Sequence, residues 1–237
     1  MEEHYRRWQD PDLVERFASK GVEEFFQTET RFLEGHGGEI SSVLDIGCAS
    51  GRMLELLTRH TAKQDYTGVD IIPENIERAR QLYPAAEFHL GNALDFHPGR
   101  RYDLVNATGV CQHEPRFEAL IGHMLSLSGR YVMFDVKLAP VGEHVVDMNR
   151  SFCAVGENRL YFVLLAWRLF LDFLRGLPDV AEIDVFGYET PPSRATRLPS
   201  GVERIVSAGV YLVRGKTAYP EIRVELPEWI LNTGQPG

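Results

Sequence analysis

From residue 41 the chain alternates between short apolar runs and stretches whose apolar positions recur every three or four residues. The first run, SVLDIG, reads as a strand and GRMLELLTRH as a helix. DYTGVDI and PENIERARQLY repeat the pair, with Pro73 pre-set for the first helical position. AEFHLG and RYDLVNATG are two further strands, PRFEALIGHMLSL a helix and GRYVMFDVKL a fifth strand. Strands separated by helices require crossover connections, so these segments predict a doubly wound, mostly parallel α/β sheet.

The pattern differs on both sides of this block. Upstream, Asp10-Pro11 caps a helix DLVERFASK that Gly21 stops, and VEEFFQTETRFLEG predicts a second helix. Downstream, residues 139–158 have no clear period. DVAEIDVFGYE and ERIVSAGVYLVRG are β-branched runs separated by turn residues, and they predict an antiparallel hairpin at one edge of the sheet. Between them lies the most apolar stretch, residues 159–177. Arg168 and Asp172 interrupt it, so it falls short of a membrane span. Read as a helix, it puts Tyr161, Arg168, Asp172 and Arg175 on one narrow face, which predicts burial in the core or in a homodimer interface, ahead of a lid over an apolar pocket. The expected organisation is one domain, with residues 1–40 as a helical lid and 41–237 as a core carrying a helical insertion at about 139–178.

Composition narrows the partners. A formal charge of -9 offers no broad basic face for a nucleic-acid backbone. Three dispersed cysteines suggest neither a disulfide framework nor a zinc site, and MEEHYRRWQDPD has no apolar signal core, so a cytoplasmic location is expected. His144 and Asp147 could ligate a metal but lack a third ligand nearby, and no metal is expected.

Ligands of an open parallel sheet bind beyond the carboxyl ends of its strands, and Asp45, Asp70, Asn92 and Asn106 stand at such ends. VLDIGCASGRML, residues 43–54, does not satisfy the G-x-G-x-x-G fingerprint of dinucleotide binding, since only Gly47 and Gly51 are present. Asp45 beside that turn suits a cationic ligand better than a pyrophosphate. His113, just past the fourth strand, is the best placed general base, although capping the next helix explains it equally well. Asp135 and Lys137 share one side of the fifth strand, as a buried ion pair or as catalytic groups.

DIGCASG resembles the first motif of the class I S-adenosylmethionine-dependent methyltransferases, acidic-x-Gly-x-Gly-x-Gly, with Ala49 in place of the middle glycine. That replacement is tolerable where the backbone needs no positive φ. The resemblance implies a seven-stranded Rossmann-like sheet. It also implies that Gly47, Cys48, Ala49 and Gly51 approach the methionine part of S-adenosylmethionine, with Asp45 holding the turn and the amino end. By the same pattern Asp70 accepts from the ribose hydroxyls, Ile71 lies against the adenine, and Asn92 and Ala93, with Asp95 an optional neighbour, meet its edge. Thr108 and Val110 fall in the loop after the fourth strand, another cofactor-contacting segment of the family. The Asn-Pro-Pro-Tyr sequence of the amine-directed branch is not matched, because NATG stands there.

The implied activity is methyl transfer to oxygen or nitrogen of a small-molecule acceptor. The alternatives are a cofactor-binding scaffold without turnover and a nucleotide-dependent oxidoreductase. The N-terminal helices, with Tyr5, Arg6, Arg7 and Trp8, are expected to close over the cofactor, and residues 139–158 with the apolar helix to wall the acceptor side. Arg150, Arg159, Arg194 and Arg197 are expected to offer charges for a phosphorylated or carboxylated acceptor.

Overall fold

A computed structural model describes residues 7–8, 27–61 and 65–233. The helix expected over residues 12–20 and the start of the next lie outside the described residues, as do Tyr5 and Arg6. The chain divides into two compact units, Met1–Thr108 with Ala119–Met133, and Gly109–Glu118 with Phe134–Gly237.

The first unit contains α1 (Gln27–His36), β1 (Ser42–Ile46), α2 (Met53–His60), β2 (Asp65–Asp70), α3 (Pro73–Leu82), β3 (Glu87–Leu90) and β4 (Tyr102–Ala107). It also holds most of α4 (Phe117–Leu127) and the first half of β5 (Ser128–Ala139). Its strands lie in the order β5-β4-β1-β2-β3, with β1 parallel to both β2 and β4, and β2 parallel to β3. Val43, Leu44 and Ile46 of β1 are all buried, as a parallel strand covered on both faces requires. Met53, Leu56 and Leu57 recur at helical spacing and turn one face of α2 into the core, each contributing roughly 1.5–3 kcal/mol by burial. Pro73 opens α3, which buries Asn75, Ile76 and Ala79. After β3 the chain crosses to the far side of β1. The carboxyl ends of β1 and β4 therefore flank the point where connections diverge, which is where such sheets bind ligands.

The second unit holds the end of β5, then β6 (Phe152–Val155), β7 (Asn158–Tyr161), β8 (Leu165–Ala166), α5 (Trp167–Arg175), β9 (Val180–Thr190), β10 (Thr196–Arg197), β11 (Ile205–Arg214), β12 (Glu221–Glu225) and α6 (Glu228–Leu231). Here the order is β12-β9-β11-β5, and β8 pairs in parallel with the end of β5. β9 and β11 form the expected antiparallel hairpin, in register from Ile205 opposite Thr190 to Val213 opposite Glu182, with a shift before Arg214 opposite Val180. β12 pairs in parallel with the outer side of β9, so the hairpin is one strand in from the edge, and β8 and β12 extend the sheet beyond seven strands. Both extra strands are short, and EIRVE alternates charge with apolar residues as an edge strand does. A separate antiparallel sheet, β10-β6-β7, occupies part of the supposed insertion.

The single helix expected over residues 159–177 is not formed. Only Trp167–Arg175 is helical, whereas Asn158–Tyr161 and Leu165–Ala166 are strands. Residues 162–167 are buried without a break. Their backbone is satisfied in extended form: Val163 N donates to Gln112 O, Val145 and Leu164 exchange bonds, and Ser151 Oγ donates to Phe162 O. A short apolar run buried on all sides has no period that separates strand from helix. Phe162 and Leu164 pack with Ala139, Val145 and Ile205, so this stretch serves the core of its own unit rather than a helical dimer face.

Candidate active site

Within the first unit, the turn after β1 is built on backbone geometry. Gly47, Ala49 and Gly51 have φ of 68°, 46° and 85°. The condition under which alanine is tolerable at position 49 is therefore not met: Ala49 adopts the left-handed conformation, at a cost of about 1 kcal/mol or more relative to glycine. The reason lies in its partners. Gly47 N and Cys48 N both donate to Val69 O, at 2.8 and 3.1 Å, Ala49 N donates to Asp70 Oδ2 at 2.9 Å, and Gly51 N donates to Cys48 O at 2.8 Å. The turn is laced to the end of β2, and residue 49 must curl back to reach Asp70. Cys48 is buried against Gly68, where a Cβ would lie 2.7 Å from Cys48 Sγ.

Asp70 is the hub. Its Oδ1 accepts from Ile72 N at 2.8 Å and Asn75 Nδ2 at 3.4 Å, and its carbonyl accepts from Gly91 N at 2.9 Å. That last bond ties in the loop carrying Asn92 and Ala93, where Asn92 Oδ1 accepts from Leu94 N and caps the short turn Ala93–Asp95. Burial pushes the Asp70 carboxyl up, opposed by the Ile72 and Ala49 N–H groups. Ile71, next along the chain, is half-buried.

Asp45 is buried one strand away. Oδ2 accepts from the Tyr66 hydroxyl at 2.5 Å and Oδ1 from Asn106 Nδ2 at 2.7 Å. Burial raises its carboxyl to about 6, against the pull of these two donors, and the Asp70 charge adds to the rise. Asn106 Oδ1 accepts from Thr108 Oγ1 at 2.8 Å, and Thr108 Oγ1 stands 3.2 Å from Glu29 Oε1 of α1. Glu29 is only 2% exposed, and the sequence reading missed it. In ETRFLEG it resembles any solvated helix acid, and only its place one residue into a buried face, beside Thr28, Phe32 and Leu33, hinted otherwise. Two polar sets result: side-chain bonds join Asp45, Asn106, Thr108 and Glu29, while bonds to the end of β2 join the turn, Asp70 and the Asn92 loop.

Within the second unit, the segment after β4 carries the remaining candidates. Gly109 N donates to Asp135 Oδ1 at 2.5 Å, and Lys137 Nζ donates to Asp135 Oδ2 at 2.9 Å and Ser207 Oγ at 2.7 Å. Val110 is half-buried and leads into the turn Cys111–His113. His113 Nδ1 is 2.6 Å from Tyr161 O; a carbonyl only accepts, so Nδ1 carries the proton and Nε2 the lone pair, which faces Gln112 Nε2 at 3.3 Å. Burial lowers the His113 imidazole to about 4, the Tyr161 carbonyl opposing and the Lys137 charge adding to the fall.

Other expected residues are engaged elsewhere. His144 Nδ1 accepts from Ala166 N and Asp147 Oδ1 from Asn149 N, each a local role. Arg150 pairs with Glu143, and the Arg159 guanidinium lies 4.4 Å over the Phe152 ring. Among the described residues, no group of three or more His, Cys, Asp or Glu is placed to hold a metal ion.

The donor set of the first unit suits S-adenosylmethionine. Two buried carboxylates favour an ammonium, a sulfonium and ribose hydroxyls and disfavour a pyrophosphate. Asn75 Oδ1, buried within the Asp70 cluster, lacks a hydrogen-bond partner among the described residues and is a spare acceptor for a hydroxyl.

Comparison with known proteins agrees with this geometry. A family model described as "Methyltransferase domain" matches residues 4–171. Trans-aconitate 2-methyltransferase of Enterobacter sp. (strain 638) is 34% identical over 89 residues, 38% of this chain and 35% of that protein. Malonyl-[acyl-carrier protein] O-methyltransferase of Haemophilus influenzae is 26% identical over 136 residues, 56% of this chain and 50% of that protein. The matched segments thus span from about a third to a half of the length of these curated relatives. Among solved structures, magnesium protoporphyrin IX methyltransferase from Synechocystis PCC 6803 with bound SAM superposes with a TM-score of 0.56 at 17% identity, covering 89% of this chain and 95% of that one. The N-methyltransferase NodS from Bradyrhizobium japonicum WM9 with bound S-adenosyl-L-homocysteine gives 0.57 at 15% identity, covering 91% and 100%. With most of its length matched by the family model and its fold shared with these structures, the chain belongs to the class I S-adenosylmethionine-dependent methyltransferases.

Proposed function

We propose that the chain transfers the methyl group of S-adenosylmethionine to a carboxylate oxygen of a small acid. When bound, the cofactor supplies an electrophilic methyl on a sulfonium, and the protein needs only to align a nucleophile with it. In this reading the turn of Gly47, Cys48, Ala49 and Gly51 admits the methionine part, with Asp45 ordering it. Asp70 accepts from the ribose hydroxyls, Ile71, Asn92 and Ala93 border the adenine, and Thr108 closes the cofactor side.

The observation that carries the choice of acceptor is His113. With its proton on Nδ1 committed to Tyr161 O and its basicity pushed down to about 4, it is a poor base at neutral pH for an alcohol or phenol. A carboxylate arrives already ionised and needs no base. In this role His113 orders the acceptor wall through Tyr161 and Gln112. The names of the two curated relatives, which act on trans-aconitate and on a malonyl group, support an acid as acceptor. Free Cys48, Cys111 and Cys153 support a reducing, cytoplasmic setting, and among the described residues no helix is long and apolar enough to cross a membrane.

The test is transfer of a radiolabelled methyl group to panels of small carboxylic acids, phenols and amines. Transfer of label to acids at a rate flat between about pH 7 and 8.5 is expected, the label being released as methanol when the product is then treated with mild alkali. Label confined to amines or phenols overturns the choice of acceptor.

A further inference from the structure

Lys137 is only 14% exposed at its side chain, on the second half of β5, with Asp135 10% exposed beside it. As a purely structural device this pair is expensive: desolvating both charges costs several kcal/mol, and apolar residues of the same volume would hold β5 to β11 as well. Three features mark it as more than a staple. The ammonium has three N–H donors, and among the described residues two are used, on Asp135 Oδ2 and Ser207 Oγ. Asp135 is fixed from its other side by Gly109 N, the residue that follows Thr108 in the chain, so the pair is bonded to the segment leaving β4. Gln112 and His113 of that segment complete the surroundings. The Lys137 charge is felt at His113, and Gln112 Oε1 is buried with no hydrogen-bond partner among the described residues. A pre-positioned cation with a spare donor suits an anionic group, and the orphaned amide oxygen can take only a donor, such as a hydroxyl of the same ligand.

A carboxylate ion-paired to an ammonium is a weakened nucleophile, so Lys137 is ill suited to hold the oxygen that is methylated. It is well suited to a second carboxylate on the same molecule. We infer that Lys137, oriented by Asp135 and Ser207, anchors the non-reacting carboxylate of a di- or tricarboxylic acceptor. This rests on the carboxylate reading given under Proposed function and narrows it. In the reaction, the free carboxylate oxygen forms a bond to the methyl carbon as the carbon–sulfur bond breaks, and the electron pair of that bond stays on sulfur. No proton moves, and the products are a monomethyl ester and S-adenosylhomocysteine.

The experiment is calorimetry on the full chain saturated with S-adenosylhomocysteine, titrated with malonate, succinate, glutarate and citrate and with the monoamide of each diacid. At least one of these acids should bind, with its monoamide bound about tenfold or more weakly, a difference of about 1.4 kcal/mol. Lys137→Met should erase that preference, binding acid and monoamide alike, while S-adenosylhomocysteine affinity stays the same. Should Lys137→Met fold poorly because Asp135 loses its counterion, the charge-neutral pair Asp135→Asn with Lys137→Gln keeps an acceptor for Gly109 N and serves in its place. The inference is overturned if none of the four acids binds, or if the variant retains the preference for acid over amide. Because binding is read without turnover, a methyl-transfer assay on the same panel separately decides the carboxylate reading.

Discussion

His113→Gln puts the reading of the post-β4 segment on a thermodynamic scale. An imidazole lowered from 6.5 to about 4 stays neutral in the native protein while the unfolded chain takes up a proton below about pH 6.5. The native state therefore loses stability on acidification, about 1.4 kcal/mol per pH unit and about 3 kcal/mol across the window from 6.5 to 4. Glutamine keeps an N–H for Tyr161 O but cannot be protonated. At about pH 7.5 the variant should be roughly 1 kcal/mol less stable, through imperfect geometry of that bond and of packing near Phe162. Below roughly pH 5.5 it should be more stable than the parent. Asp45→Asn should behave in the opposite sense. With its carboxyl raised from 3.8 to about 6, Asp45 destabilises the native state above that range by about 3 kcal/mol, and the parent regains this as pH falls through 6. The asparagine variant gains nothing on acidification. Urea midpoints followed by tryptophan fluorescence, in half-unit steps from about pH 4.5 to 7.5, read both differences. If the His113→Gln and parent curves run parallel across that range, His113 is not held neutral by burial, and the argument against a general base fails with it.

Two backbone predictions test the geometry around the turn. Ala49→Gly removes a left-handed alanine while adding unfolded-state entropy, for a net stabilisation of about 0.5–1 kcal/mol and a melting temperature higher by about 1–4 °C in scanning calorimetry. A lower melting temperature would mean that residue 49 does not hold a φ of 46°. Gly68→Ala pushes a methyl to 2.7 Å from Cys48 Sγ and 2.8 Å from Phe88 Cδ1, so it should cost about 1–3 kcal/mol, and the double variant with Cys48→Ala should recover part of that.

The sequence made the core of this fold readable because local signals and tertiary demands agree there. SVLDI reads as a strand by its short run with β-branched Val43 and Ile46 ahead of a glycine turn, and Pro73 and the periodicity of Ile76 and Ala79 point α3 to a helix. Asp70 was legible because an acid at the end of a buried strand needs partners, and its partners proved to be the turn itself. Two things were hidden for physical reasons. The extended run 162–167 is buried on every side, so nothing in its polarity records direction, and it read as helix. Glu29 joins the site through Thr108, a partner far away in sequence, and no local pattern marks such a bond. Ala49 shows the converse: the motif placed it rightly, but the strain it bears is set by the reach of its N–H to Asp70, which spacing alone does not disclose.

The central claim is that the turn and Asp70 hold a methyl donor rather than a dinucleotide. Calorimetric titration of the parent and of Asp70→Ala with S-adenosylhomocysteine and with NAD tests it most directly. The account predicts one S-adenosylhomocysteine per chain, no heat from NAD, and binding at least about tenfold weaker in Asp70→Ala as the ribose hydrogen bonds are lost. Tight binding of NAD with no response to S-adenosylhomocysteine, or equal affinity in Asp70→Ala, would contradict it.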